Sequence, residues 1–485
     1  MAQLSDLPPE IILQICSFVR PGLNGKNMVD GQDPFQVRQK VSQDYRNLNS
    51  LKSFCRTSKK YNGLRDSILF TSIVENHTLK KSAVESIATL LRVLLANPGG
   101  RIHVRSLHMF LYAGEDMDED TPEIPWPLSP SQIRALENVA AAVGINTTKK
   151  IRDLDTGRLI TLRGVAKNTK YLRSDRLFGY EMLLLLLLVP GVQDLTLVIN
   201  SGTLDWMRHI WATARLDGVD HSPITHLRSL VICDGYFDWG KDTLDKCFGT
   251  LFEMLPSSEL YGQLSEFEHA QLPFSNITSL ALCRQPWTTT ELCQVIEKFS
   301  TLNSLLLLSS SVETSRYRFE AAAVIDALKK HARTLRTLCL QRFTSFDDDD
   351  YNDDDKRDRH AIADLRDFVA MEKLWITAAL LRAVNQSGQK QKAPAERSPT
   401  SCEKQPSSVD NIFQKLPSSL RKLHLHGKMV HLLDDFRHFS HGNSSVNFNL
   451  SLSGLSGADT AQSVVDVFRK VRRHINIDDR CPLSW

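Results

Sequence analysis

The sequence predicts an α/β chain in which a short all-helical module precedes an irregular, solenoid-like body of alternating helices and strands. Three observations carry this reading. Apolar residues fall in helical stripes between residues 4 and 70, a six-residue pattern, apolar-x-x-Leu-x-apolar, recurs from residue 104 onward, and amphipathic stretches come just before several of those hexamers.

The first helix is announced by Asp6, Leu7, Pro8, Pro9 and Glu10. Asp6 is a capping carboxylate, the prolines occupy a first turn that needs no amide donors, and Glu10 lies near the positive end of the helix dipole. Ile11, Ile12, Ile15, Phe18 and Val19 then share one face, and Arg20, Pro21 and Gly22 end the segment. A second, less regular stripe comprises Leu48, Leu51, Phe54, Cys55 and Tyr61, with Gly63 and then Ile68, Leu69 and Phe70 behind it. Three short helices joined by loops fit this stretch. Periodicity alone leaves open whether their apolar face packs on the rest of the chain or on another protein.

The segments LSDLPPEIILQICSFV and LNSLKSFCRTSKKYNGL resemble an F-box, in which a leucine-proline start and an apolar helix precede an S-K-K-aromatic stretch. The resemblance covers residues 4 to 70. It implies that Leu7, Pro8, Ile12, Ile15, Phe18 and Val19, with Leu51, Phe54 and Tyr61, dock on a Skp-type adaptor and through it on a cullin. The chain departs from the family in the long polar connection from Arg20 to Asn47, where the family has a short loop. A surface insertion of this kind is tolerated, because closure entropy grows by only about 0.6 kcal/mol per doubling of loop length.

The body carries eight hexamers: VRSLHM at Val104, VQDLTL at Val192, LRSLVI at Leu227, ITSLAL at Ile277, LNSLLL at Leu302, LRTLCL at Leu335, MEKLWI at Met371 and LRKLHL at Leu420. A chain with 42% hydrophobic residues produces an apolar-x-x-apolar-x-apolar hexamer by chance roughly 35 times, so context decides. Leu292, Val295, Ile296 and Phe299 precede LNSLLL on one helical face, with Thr288 and Glu291 spaced as a capping box; Ala321, Val324, Ile325 and Leu328 precede LRTLCL. A helix, a short polar link and a strand form the unit of a solenoid. Gaps between central leucines run from 25 residues (280 to 305) to 88 (107 to 195), so the repeats are expected to be degenerate.

These hexamers look like the strand segments of leucine-rich repeats, and the arrangement resembles fungal F-box proteins with divergent leucine-rich-repeat bodies. The residues themselves leave a second architecture open, an irregular α/β domain with parallel strands. The expected organisation is an F-box over 1–75, with an insertion at 20–47, and a degenerate leucine-rich-repeat-like domain over 76–484. Two insertions are expected to be disordered. One, at 344–360, holds seven aspartates between Asp347 and Asp355; the other, at 385–410, is polar and rich in Pro and Ser, with Ser398, Thr400 and Ser401 as modifiable hydroxyls.

Composition narrows the function. Lys plus Arg is 59 against 56 for Asp plus Glu, so no broad basic field exists for nucleic acid or an anionic membrane. Nine scattered cysteines without a C-x-x-C pair read as reduced thiols; Cys233, Cys283 and Cys339 are expected in the core. No secretory signal is visible, and the longest apolar run, Met182 to Val189, is too short to span a bilayer, so a cytoplasmic or nuclear protein is expected.

No phosphate-loop, nucleophile-elbow, zinc-protease or dinucleotide fingerprint is present, and no catalytic residue, cofactor or metal is expected. The aspartate run lacks the alternation and glycine of a calcium loop. His424 and His426 share a strand face, with His431, His438, His441, Asp434 and Asp435 downstream, yet match no zinc-ligand spacing. Ala461, Val464, Val465, Phe468 and Val471 form a helical face followed by cations, which suits a helix C-terminus. The expected function is a substrate-recognition subunit of a ubiquitin ligase that holds a protein target on its body. The alternative is a leucine-rich-repeat scaffold acting without ubiquitin transfer.

Overall fold

The computed structural model describes residues 70–78, 81–112, 129–154, 156–167, 174–199, 201–214, 226–234, 257–263, 276–283, 288–309, 320–342, 364–381, 415–426, 449–453 and 475–477. The described chain is mixed α/β with a mostly parallel sheet arrangement, as the hexamers and amphipathic stretches predict. It divides into two compact units, Met1–Ile277 and Thr278–Trp485. Both expected insertions lie outside the described residues, as does the expected N-terminal module except for residues 70–75, of which 72–75 belong to a strand, Ser72–Thr78.

In the first unit, strands β1 (Ser72–Thr78), β2 (Ser106–Tyr112), β5 (Asp194–Ile199), β6 (Ser229–Asp234) and β7 (Glu259–Gln263) lie side by side in that order, all parallel. Helices fill the connections: α1 (Lys81–Ala96), α2 (Pro98–Arg101), α3 (Pro130–Ala142), α4 (Leu162–Lys167), α5 (Ser174–Leu188) and α6 (Ser201–Ala214). A short antiparallel hairpin, β3 (Lys150–Arg152) and β4 (Leu159–Thr161), interrupts the link between β2 and β5. Helix α3 starts at a capping box in which Ser129 and Gln132 satisfy each other's amides, and Pro130 occupies its first turn.

The second unit continues the same grammar. Strands β8 (Ser279–Cys283), β9 (Ser304–Ser309), β10 (Thr337–Arg342), β11 (Lys373–Thr377), β12 (Lys422–His426), β13 (Asn449–Ser453) and β14 (Ile475–Ile477) are parallel and follow one another in sequence order. Helix α7 (Thr289–Lys298) begins at the predicted box: Thr288 caps the Glu291 amide and Glu291 returns to the Thr288 amide. Leu292, Val295, Ile296 and Phe299 are buried, as are Ala321, Val324, Ile325 and Leu328 of α8 (Ala321–Leu328). The turn after α8 is tied to its neighbour by Thr334, whose hydroxyl donates to the Leu302 carbonyl at 2.9 Å.

All eight hexamers form strands, and their central leucines stand in register. Leu107 is level with Leu195 and Leu195 with Leu230; Leu280, Leu305, Leu338, Leu374 and Leu423 form a second row. These leucines are at most 1% exposed, because parallel strands covered by helices bury a continuous apolar stripe. The structure extends the rows to Ile73 and Leu260 in the first unit and to Leu450 and Ile475 in the second.

One backbone device repeats with the hexamers. The carbonyl just before each strand accepts hydrogen bonds from two consecutive amides of the next segment. Thr71 receives Arg105 and Ser106; Arg105 receives Gln193 and Asp194; Gln193 receives Arg228 and Ser229. In the second unit Thr278, Asn303, Arg336 and Glu372 do the same in turn. The shared acceptor fixes the register at the strand entry, which explains how hexamers spaced unevenly in sequence become equivalent in space.

Candidate functional site

Sequence reasoning placed the functional surface on nine residues: Leu7, Pro8, Ile12, Ile15, Phe18, Val19, Leu51, Phe54 and Tyr61. All nine lie outside the described residues. The histidine pair is described. Leu423 and Leu425 are buried, as the alternation predicts, and His424 stands half-buried on the opposite face beside Trp375 of β11. No group of three or more metal-ligating side chains occurs among the described residues. His431, His438, His441, Asp434 and Asp435 lie outside them, as does the stretch from Ala461 to Val471. Cys339 is in the core, 3% exposed; Cys233 and Cys283 have described backbone in β6 and β8 only.

The most elaborate polar assembly in the described chain is one that sequence reasoning missed, and it surrounds the β3–β4 hairpin. Asp153 closes the hairpin: its amide donates to the Arg158 carbonyl at 2.7 Å, its carbonyl accepts from Gly157 at 2.9 Å, and its carboxylate accepts from the Thr156 amide at 2.8 Å. Gly157 has φ of +68°, the left-handed turn conformation that glycine adopts without a Cβ penalty.

The same carboxylate pairs with Arg176 at the start of α5, with Oδ2 at 2.6 Å from Nη1; the two side chains are 1% and 7% exposed. Arg176 in turn lies over the Trp206 ring of α6 at 5.3 Å, and Trp206 meets His209 edge-on at 5.8 Å. His209 Nε2 is 2.7 Å from the Arg152 carbonyl. Burial pushes the His209 imidazole below its usual pKa, so the neutral tautomer carrying a proton on Nε2 can donate to that carbonyl. One chain of contacts thus runs from α6 through α5 to the hairpin and back. The motif R-D-L-D-T-G-R signals a turn, and only its long-range partners were illegible.

The anchored hairpin turns a different chemistry outward. Ile151 is buried, whereas its strand neighbours Lys150 and Arg152 are exposed, and Leu159, directly across from Arg152, is 67% exposed. Leu154 in the turn is 43% exposed, and Lys149 and Arg158 are exposed as well.

Two further features bear on function. A shallow cleft of about 460 Å³ in the second unit is lined by Arg336, Val369, Glu372, Ser418, Ser419 and Arg421, at the entries of β10, β11 and β12. Arg336 reaches Glu372 at 4.0 Å, and Arg421 adds a second cation to the lining. Among the buried polar groups of the first unit with an atom left unbonded, two are fully enclosed titratable ones. Glu181 of α5 is 0% exposed with neither oxygen hydrogen-bonded, and His108 of β2 bonds Thr196 at 2.9 Å through Nδ1 while Nε2 is unpartnered. Burial raises the Glu181 pKa well above its usual value and lowers that of His108 to about 4. His108 is therefore neutral at pH 7, and burial biases Glu181 toward its protonated form, which eases the cost of enclosing both.

No family model matches the chain, and no curated protein matches it. No helix among the described residues is long and apolar enough to cross a membrane.

Proposed function

We propose that the chain is a substrate-recognition subunit of a Skp/cullin/F-box ubiquitin ligase. Residues 1–75 form the F-box and dock on the adaptor through Leu7, Pro8, Ile12, Ile15, Phe18 and Val19, with Leu51, Phe54 and Tyr61 on the second stripe. Residues 76–484 form a degenerate leucine-rich-repeat solenoid that holds the target protein. Its contribution is effective concentration: it keeps a target lysine near a ubiquitin-carrying partner, and the chain itself makes and breaks no bond.

The observation that carries the reading is the run LSDLPPEIILQICSFV, whose leucine-proline start and apolar helix resemble the adaptor-binding half of an F-box. The body supports it from another direction. Hexamers spaced unevenly in sequence align as equivalent strands in sequence order, which is the economy of a solenoid and is foreign to a doubly wound sheet, where strand order reverses.

Affinity capture of the full chain from cells, with mass spectrometry of co-purifying proteins, tests the proposal. The expected result is recovery of a Skp-type adaptor and a cullin, lost when Leu7→Ala and Pro8→Ala are combined. Recovery unchanged by that pair removes the docking assignment. Stable protein partners without a cullin favour a scaffold that transfers no ubiquitin.

A further inference from the structure

We infer that the outer face of the β3–β4 hairpin is a docking surface for an extended acidic segment of a partner protein. The inference rests on side-chain placement in the first unit and stands whether or not the chain works within a ligase.

The charge on this face is one-sided. Lys149, Lys150, Arg152 and Arg158 are all exposed, and among the described residues no ion pair or hydrogen bond engages their side chains. The acid within reach, Asp153, is turned inward and consumed by Arg176. Asp155, which lies outside the described residues, is the only other acid between 149 and 159, so the stretch carries four cations against two acids. Some exposed cations elsewhere in this unit do have carboxylates, as Arg163 has Glu137 at 2.9 Å and Arg228 has Glu259 at 3.3 Å, but neither belongs to a hairpin that gathers four cations.

The face also offers apolar and backbone contacts. Leu154 and Leu159 are two of only five large apolar side chains exposed among the described residues, and both lie on this hairpin. In an antiparallel pair, hydrogen-bonded and non-hydrogen-bonded positions alternate. The Asp153–Arg158 bond places Arg152 and Leu159 at a non-bonded position, so their amides and carbonyls point outward. His209 takes the Arg152 carbonyl on one edge. The Leu159 amide and carbonyl on the other edge are left for an added strand, which is how extended peptides join a sheet.

These features select one occupant. A strand laid along β4 would set alternate side chains beside Leu159 and Thr161, with Arg152 and Lys150 one strand further on the same face and within reach of long acidic side chains. A segment alternating acidic and aliphatic residues is therefore complementary. The anchoring through Asp153, Arg176, Trp206 and His209 means that the face is ordered before the partner arrives, which reduces the entropy cost of docking. A lipid surface fits less well, because the stretch from 149 to 159 carries two acids among its four cations.

The test is fluorescence anisotropy of the full chain with a labelled peptide of about twelve residues carrying Glu at alternate positions among Leu and Ser, and with a twin carrying Gln. The acidic peptide is expected to bind at least about tenfold more tightly than the twin and to weaken as NaCl rises from about 50 to about 300 mM. Lys150→Glu with Arg152→Glu should reduce its affinity by at least about tenfold, and Leu159→Ser by several-fold. Circular dichroism checks that these exposed substitutions leave the fold intact. Equal binding of the two peptides, or affinity unmoved by the charge reversals, overturns the inference. So does binding of phosphatidylserine vesicles, abolished by the same reversals, in the absence of peptide binding.

Discussion

The carboxylate of Asp153 and the guanidinium of Arg176 meet at 2.6 Å with almost no exposure to water, joining a surface hairpin to the start of a core helix. Neither charge has bulk solvent to fall back on if the other is removed. Arg176→Ala or Asp153→Ala is therefore expected to destabilise the first unit by about 3–5 kcal/mol, read from urea denaturation followed by tryptophan fluorescence. Replacing both together, as Asp153→Leu with Arg176→Met, should cost less than either single change. A double variant as unstable as the sum of the singles would show that the two groups act independently.

Helix α5 is pressed closest to α6 at Gly179. A Cβ there would sit 2.7 Å from Trp206 Cβ, 2.8 Å from the Thr203 carbonyl oxygen and 2.9 Å from the Met207 nitrogen. Two of those atoms are backbone and cannot step aside. Gly179→Ala should raise helix propensity yet destabilise the protein, by roughly 1–3 kcal/mol in the same denaturation assay. Because the shift would move Trp206, it should also alter near-ultraviolet circular dichroism.

His108 predicts an acid response. Its folded pKa of about 4 lies below the ordinary 6.5, so the unfolded chain takes up a proton that the native chain refuses. The stability this provides is present above pH 6.5 and lost as pH falls toward 4, in total about 3 kcal/mol. His108→Gln should flatten that part of the stability profile. The measurement is urea stability from pH 7 down to pH 4 for the two proteins, compared as slopes.

Glu181 predicts the opposite slope. Its pKa is raised in the folded state, so the native chain keeps a proton that the unfolded chain releases once pH exceeds about 4.5. Stability therefore falls as pH rises above that value. In Glu181→Leu this loss should vanish, and the variant's advantage over the parent should widen from pH 5 to pH 8 in the same assay. A constant difference across that range would show that Glu181 is charged in the folded protein.

The hexamers were legible because their signal is local. In LRTLCL Leu338 and Leu340 are two apart, so strand periodicity assigns them to one face without knowledge of any neighbour, and Leu335 is buried just before the strand. The same holds for the Thr288–Glu291 box and for the buried stripe of α7. Outside the β3–β4 hairpin, the four strands without a hexamer lack part of that signal. Three residues before Leu260, Leu450 and Ile475 stand Ser257, Asn447 and Arg472, and two residues after Ile73 stands Glu75. What draws these segments into the rows is the pairing of an already formed neighbour, a non-local term.

The amino-acid sequence by itself therefore determined the kind of elements, the apolar faces they bury and their parallel α/β character, since each depends on residues within a few positions of one another. Only the tertiary structure decided that Asp153 lies against Arg176, that Glu181 and His108 are sealed away from water, and that Lys150, Arg152 and Leu159 share one open face. Those facts depend on which distant surface excludes water from a side chain, and no local pattern records that.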